Sequence, residues 1–142
     1  MKRLACIMIS LMFLAISCSS SGPWLYHITP EDVASEPTVY AKVITPPNPE
    51  LLGFWRRDPP TQFNKPHTFD YWLIKKGDKY AVYYYWKDPK HGRTYDGWAP
   101  FVINGDTMRS TVDASKFFYK DGKVWHNWAG REFDSPMRLI TK

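Results

Sequence analysis

Cysteine is scarce in this chain, which holds only Cys6 and Cys18 among its 142 residues. Cys6 lies in an apolar stretch near the first residue, and a chain that loses this stretch on export keeps one cysteine. A single cysteine cannot form an internal disulfide. A disulfide framework is therefore excluded, and Cys18 calls for another explanation.

Apolar runs long enough to cross a bilayer are also lacking. The run from Leu4 to Ser17 has 14 residues, whereas a spanning helix needs about 20. It follows the basic pair Lys2 and Arg3 and ends just before Cys18, which is the arrangement of a secretory signal peptide. We therefore expect residues 1–17 to be a signal peptide that is removed.

The residues around Cys18 resemble the lipobox of bacterial lipoproteins. Small residues lead up to the cysteine, and the flexible run Ser19 to Gly22 follows it, although Ala15 stands where that family usually has leucine. The resemblance implies cleavage before Cys18 and acylation of its sulfur, which anchors a protein because each buried methylene contributes about 0.8 kcal/mol. Ser19, rather than aspartate, further implies an outer-membrane lipoprotein whose domain faces the periplasm. The alternative is an ordinary signal cut near the serine run, with Cys18 left as a free thiol.

Long blocks of one charge are absent as well. The chain from Cys18 onward holds 17 Lys and Arg (19 − 2) against 14 Asp and Glu, a side-chain charge of +3. Opposite charges alternate, as in Asp78-Lys79 and Lys120-Asp121, which is typical of a solvated surface. Together with export, this pattern excludes nucleic acid as the expected partner.

Catalytic and metal-binding patterns are missing too. His27, His67, His91 and His126 have no metal-ligand spacing, and no Gly-x-Ser-x-Gly motif, nucleophilic cysteine or carboxylate pair is present. The sequence therefore predicts no catalytic residues, no metal, no cofactor and no enzymatic activity.

Proline divides the remaining chain into two parts. Residues 18–50 contain six prolines, a density that favours extended chain, and we expect them to form a tether between the lipid and a domain at 51–142. Two local elements are predicted within the tether. Thr29-Pro30-Glu31-Asp32 has a capping hydroxyl and Pro at the first position, which indicates a short helix to about Ser35. Thr38 to Ile44 is rich in β-branched residues and predicts an edge strand.

The domain is predicted to be all-β. Its strands are separated by turns such as Asn104-Gly105 and Asp121-Gly122, which are strong hairpin signals. Eight strands are predicted: Leu52–Arg57, Phe69–Lys75, Tyr80–Trp86, Tyr95–Ile103, Thr107–Val112, Ser115–Tyr119, Val124–Trp128 and Pro136–Thr141. Such a meander closes into a barrel or folds into a sandwich. Because closure removes sheet edges, we expect an eight-stranded antiparallel meander barrel.

Gly53-Phe54-Trp55, followed by such a meander and by Arg138 near the last strand, resembles the lipocalins and the wider calycin superfamily, and in particular small lipocalin-like lipoproteins of bacteria. The resemblance implies that Trp55 plugs the closed end of the barrel and that Arg138 packs across it. It also implies that Gly53 leaves room for the chain to pass close by. The missing C-terminal helix and the short length reduce the volume that such a barrel could enclose.

Aromatic residues are abundant, with 20 Phe, Trp and Tyr in the 92 residues from 51 to 142. Rings fall on both faces of the strand Tyr80–Trp86. They form either a packed core, an aromatic-lined cavity or a partner-binding surface. As candidate ligand-binding residues we take Trp72, Tyr83, Tyr85, Trp98 and Trp125.

Three functions are consistent with these features. The first is a membrane-anchored protein that binds a small apolar or aromatic ligand. The second is an accessory lipoprotein that binds another envelope protein, such as a pilot or secretion factor. The third is a lysozyme inhibitor, which the positive charge disfavours because lysozymes are usually cationic.

Overall fold

The computed structural model describes residues 27–57, 68–88, 91–128, 130 and 133–142. These residues form an all-β protein, as predicted, with one helix, α1 (Pro30–Ala34), and a 3-10 turn at Pro49–Leu51. The strands are β1 (Lys42–Thr45), β2 (Gly53–Arg57), β3 (Thr68–Lys76), β4 (Lys79–Asp88), β5 (Arg93–Ala99), β6 (Phe101–Asn104), β7 (Thr107–Ser110), β8 (Ser115–Lys120), β9 (Lys123–Trp128) and β10 (Ser135–Thr141).

Seven of the eight predicted strands correspond to single observed strands, but the described residues form ten strands, so the predicted number is wrong. Pro100 splits the predicted strand Tyr95–Ile103 into β5 and β6. Proline has no N–H to continue a ladder. As a result β5 pairs with β4, whereas β6 pairs with β7. The tenth strand is the edge strand expected within Thr38–Ile44, observed as β1.

The predicted meander is wrong in its order. The sheet order is β1-β6-β7-β8-β9-β10-β2-β3-β4-β5, so the consecutive strands β5 and β6 lie far apart in it. β1 is parallel to β6. The sheet contains two runs of consecutive strands, β2 to β5 and β6 to β10, and antiparallel pairing of β10 with β2 joins them. The sheet curls into an open half-barrel rather than the closed barrel expected. The break at Pro100 is the physical reason, because β5 and β6 separate there instead of continuing one ladder.

The concave face of the sheet is packed with large side chains. Phe69, Tyr71, Tyr84, Phe101 and Phe117 are each no more than 1% exposed. Their rings meet edge to face, for example Tyr71 and Phe117 with centroids 4.8 Å apart and Tyr84 and Phe101 at 5.4 Å. Such pairs stabilise a core beyond the area they bury. A domain without a disulfide is thus held together largely by aromatic packing.

Helix α1 begins as the sequence predicts. The Thr29 hydroxyl accepts from the Asp32 N–H, and the Asp32 carboxylate accepts from the Thr29 N–H at 2.8 Å, so a full capping box is present. Ile28 and Val33 occupy the positions just before the cap and at the fourth helical residue, where apolar side chains form a hydrophobic staple. Ile28 is 1% exposed and packs in a second apolar cluster, with Phe54 and Tyr85. The chain from residue 27 therefore lies on the sheet.

Candidate functional site

Four of the five predicted ligand-binding residues lie together on the convex face of the sheet, namely Trp72, Tyr83, Tyr85 and Trp98, and Phe54 lies beside them. Phe54, Trp72, Tyr83 and Trp98 are direct cross-strand neighbours on β2, β3, β4 and β5. Phe54 and Trp72 stack at 5.2 Å between centroids, and Tyr83 meets Trp98 edge to face at 5.2 Å. Tyr85 points to the same side two residues further along β4. We call these five residues the outer aromatic face.

Residues 27–36, which we call the strap, cover this face. The His27 ring stacks on Tyr85 with centroids 4.0 Å apart and planes 9° from parallel. Val33, like Trp72 and Tyr83, packs against the second cluster. Further along, the Trp98 Nε1–H donates to the Ser35 hydroxyl at 3.2 Å. The convex rings are therefore neither a cavity lining nor an open patch, but the sheet side of an interface within the chain.

A buried ion pair lies beside the point where the strap meets the sheet. The Arg56 guanidinium donates to both carboxylate oxygens of Asp70 at 2.9 to 3.2 Å, and Asp70 is fully buried. Burial raises the pKa of Asp70, and the hydrogen bonds from Arg56 oppose that rise. Burial lowers the pKa of His27, and the charge of Asp70 opposes that change. The neutral His27 ring is thus favoured while the strap is docked.

Trp125, the fifth predicted residue, is apart from this group. It lies on β9 opposite Phe118 and Pro136, and it is half-buried. Its Nε1–H donates to the Lys120 carbonyl at 3.1 Å, across the β8–β9 turn. The structure therefore does not bring Trp125 to the outer aromatic face.

The three signature residues lie where β2 and β10 meet. Gly53 has φ +102°, and a Cβ built there would be 2.6 Å from the Thr141 carbonyl oxygen. Trp55 is 8% exposed in the main core, and its Nε1–H donates to the Leu52 carbonyl at 3.1 Å. Arg138 lies opposite Arg56 in the β10–β2 ladder. Gly53 is thus required by a close backbone approach as well as by its φ.

A polar network inside the half-barrel was not predicted from the sequence. The Asp113 carboxylate accepts from the Tyr84 hydroxyl at 2.8 Å and from the Ser115 hydroxyl at 2.7 Å. The His126 Nε2 lies 3.0 Å from the Ser115 oxygen. Because Ser115 donates to Asp113, its oxygen is free to accept, which favours the Nε2–H tautomer of His126. The network joins β4 to the β7–β8 connection across the interior of the half-barrel.

Burial controls the electrostatics of this network. It lowers the pKa of His126 well below the usual value, and the nearby charge of Arg57 acts in the same direction. Burial and the charge of Asp113 raise the pKa of Tyr84 well above its usual value. The Arg57 guanidinium lies over the Phe69 ring at 4.7 Å, and desolvation lowers its pKa to about 10. Ser115 and His126 resemble a nucleophile and its base in spacing, but both are buried and the serine donates elsewhere.

Several expectations fall on other parts of the chain. Cys18 and the signal segment lie outside the described residues. Within the described ranges, no cluster of three potential metal ligands occurs, and no helix has the length and hydropathy to span a membrane. Comparison with protein-family models, with curated proteins and with solved structures finds no match.

Proposed function

We propose that the chain is an outer-membrane lipoprotein, acylated on Cys18, whose domain faces the periplasm and binds another envelope protein at the exposed edge strand β1. The observation that carries the proposal is the exposure of β1. All four of its residues are exposed, and it is the terminal strand of the sheet order. The likeness to lipocalin-like lipoproteins is part of the proposal, supported by the buried Trp55 and the close approach at Gly53.

The side chains of β1 favour an extended protein segment as the partner. Val43 is 39% exposed and Ile44 is 62% exposed. Soluble proteins usually protect a sheet edge with charge, proline or a covering segment, because an open edge can pair with another chain. Two consecutive exposed β-branched residues at an edge instead match β-strand addition, in which main-chain hydrogen bonds bind an incoming strand.

The packed interior also favours a protein partner over an enclosed small molecule. The side chains that would line a lipocalin cup, among them Phe69, Tyr84 and Phe117, are fully buried against one another. The convex rings are covered by the strap. Neither set of rings is free to receive a ligand without displacing part of the chain.

Site-specific crosslinking tests this proposal. A photoreactive residue at position 44 should crosslink one envelope protein in stoichiometric yield, whereas the same residue at the exposed position 123 should not. Ile44→Lys should abolish copurification of that protein, and Lys123→Glu should leave it unchanged. Equal yields at both positions, or a partner that remains bound to the Ile44→Lys variant, would contradict docking at β1.

A small aromatic or apolar ligand is the second candidate, because some rings that pack against the main core are only half-buried, among them Tyr95 and Trp128. Trp128 and the cation Arg57 are both half-buried, and both contact the Phe69 ring. A ligand that stacks on Trp128 should change the tryptophan fluorescence, and Trp128→Phe should remove that change. Constant fluorescence across lipids, porphyrins and phenolics would reject this candidate.

A further inference from the structure

The strap determines how far the domain can lie from its lipid. The sequence suggests a free tether from Cys18 to about residue 50, a length that could extend to about 110 Å. The structure instead fixes the chain to the sheet from His27 onward, through the Tyr85 stack and buried Ile28. Only nine Cα–Cα steps, through the eight residues 19–26, separate Cys18 from His27. Fully extended, they reach about 30 Å.

The direction of the strap determines which end of the domain is nearer the lipid. His27 contacts Tyr85, two residues before the exposed Lys87 near the end of β4. At its other end, the Ser35 carbonyl accepts from the Lys76 ammonium at 3.1 Å, beside the β3–β4 turn. The strap therefore runs along β4, and its lipid-linked end is at the Lys87 end of the sheet.

We propose that the docked strap holds the domain close to the membrane, with the Lys87 end of the sheet facing the bilayer and the β3–β4 turn pointing away from it. This inference rests on the lipid anchor at Cys18 proposed above. This orientation also points the end of β1 away from the bilayer. β1 follows the strap in sequence and ends beside Gly105, whose N–H donates to the Thr45 carbonyl. Gly105 lies at the same end of the sheet as the β3–β4 turn. A periplasmic partner could reach that edge without meeting the bilayer.

Energy transfer to a headgroup-labelled lipid tests the orientation. In the acylated protein the sulfur of Cys18 is blocked, so one introduced cysteine can carry the donor dye. Lys87→Cys and Asp78→Cys place the dye at exposed positions at opposite ends of the β3–β4 hairpin, about 30 Å apart along the strand. In vesicles, transfer from position 87 should be several-fold more efficient than from position 78. Equal transfer from the two positions, or stronger transfer from position 78, overturns the proposal.

A second variant tests the strap itself. Ile28→Asp places a charge in the second cluster and should detach the strap, so that transfer from position 87 falls and the difference between the positions is lost. Phe133→Asp, on an exposed apolar residue outside β1, is the control and should preserve the difference. Should Ile28→Asp fail to fold, the comparison of positions 87 and 78 in the otherwise unchanged chain still decides the matter.

The mass of the extracted protein separates this inference from the proposal on which it rests. A protein without added acyl mass overturns the lipid anchor and the orientation together. An acylated protein with equal transfer from both positions overturns the orientation alone.

Discussion

Replacing Ile28 by alanine tests whether the strap is part of the folded domain. Ile28 is 1% exposed and packs with Phe54 and Tyr85. The substitution removes three carbon groups, each contributing about 0.8 kcal/mol on burial, and leaves a cavity. Buried Ile→Ala changes typically reduce the free energy of unfolding by about 2–5 kcal/mol. If residues up to 50 were only a tether, the same change should have almost no effect.

The expected loss has an upper bound set by the strap itself. Ile28 of the strap packs in the second cluster, which is separate from the main core. The strap could therefore detach while the half-barrel stays folded. The measured loss then stops at the free energy with which the strap docks. Such detachment would appear as an early change in the fluorescence of Trp72 or Trp98, before the main transition.

Urea unfolding of the chain from residue 19 onward, followed by tryptophan fluorescence and by circular dichroism, measures the effect. The matched control is Ile44→Ala, which removes the same groups from an exposed site and should change stability by less than about 0.5 kcal/mol. Equal, small effects of the two substitutions would refute the packing argument. If the slope of the unfolding free energy against urea concentration stays unchanged, the substitution has altered the native state rather than the unfolded ensemble.

Three further predictions concern the interior and the β2–β10 contact. Tyr84→Phe removes a buried donor to a carboxylate and should lower the free energy of unfolding by about 1–3 kcal/mol in urea titrations, whereas Tyr119→Phe should have little effect. Because burial lowers the pKa of His126, the unfolded chain binds more protons below pH 6.5. The contribution of His126 to stability should therefore fall by about 1.4 kcal/mol per pH unit as the pH drops below 6.5, down to the folded-state pKa of His126. His126→Gln should remove this contribution and leave that of His27, whose pKa burial also lowers. Gly53→Ala should lower the free energy of unfolding by about 2–5 kcal/mol, since backbone strain and a clash with the Thr141 carbonyl combine. Gly77→Ala has open space around it and should lower the free energy of unfolding by only about 1–2 kcal/mol. A similar loss in both variants would refute the close approach at Gly53.

The strands could be predicted because their signals are local. Turns at Gly77, Gly105 and Gly122 have positive φ, and the alternation between them locates most strands to within a few residues, although β5 and β6 were predicted as one strand. The order of the sheet could not be predicted in this way. The order also depends on the pairing of β1 with β6, two strands that are distant in sequence, and no local signal predicts that pairing.

The outer aromatic face was only partly predictable. Two-residue spacing places Tyr83 and Tyr85 on one side of β4, but it does not say whether that side is concave or convex. That the strap packs on this face could be predicted in part, because Ile28 and Val33 flank the helix start in the pattern of a hydrophobic staple. The interior network was not predictable, since Asp113 lies between two predicted strands and Ser115 begins the second of them, and only the fold brings Tyr84 to both.

The pairing of β10 with β2 has a consequence for how the chain folds. Each run, β2 to β5 and β6 to β10, is built from strands that are neighbours in sequence, whereas Met137 lies opposite Arg57 across 80 residues. The entropy lost on closing a loop grows with its length, and contacts distant in sequence slow folding. We therefore expect the strands within each run to pair early and β2 to pair with β10 last. The pairing of β2 with β10 would then be the rate-limiting step of refolding.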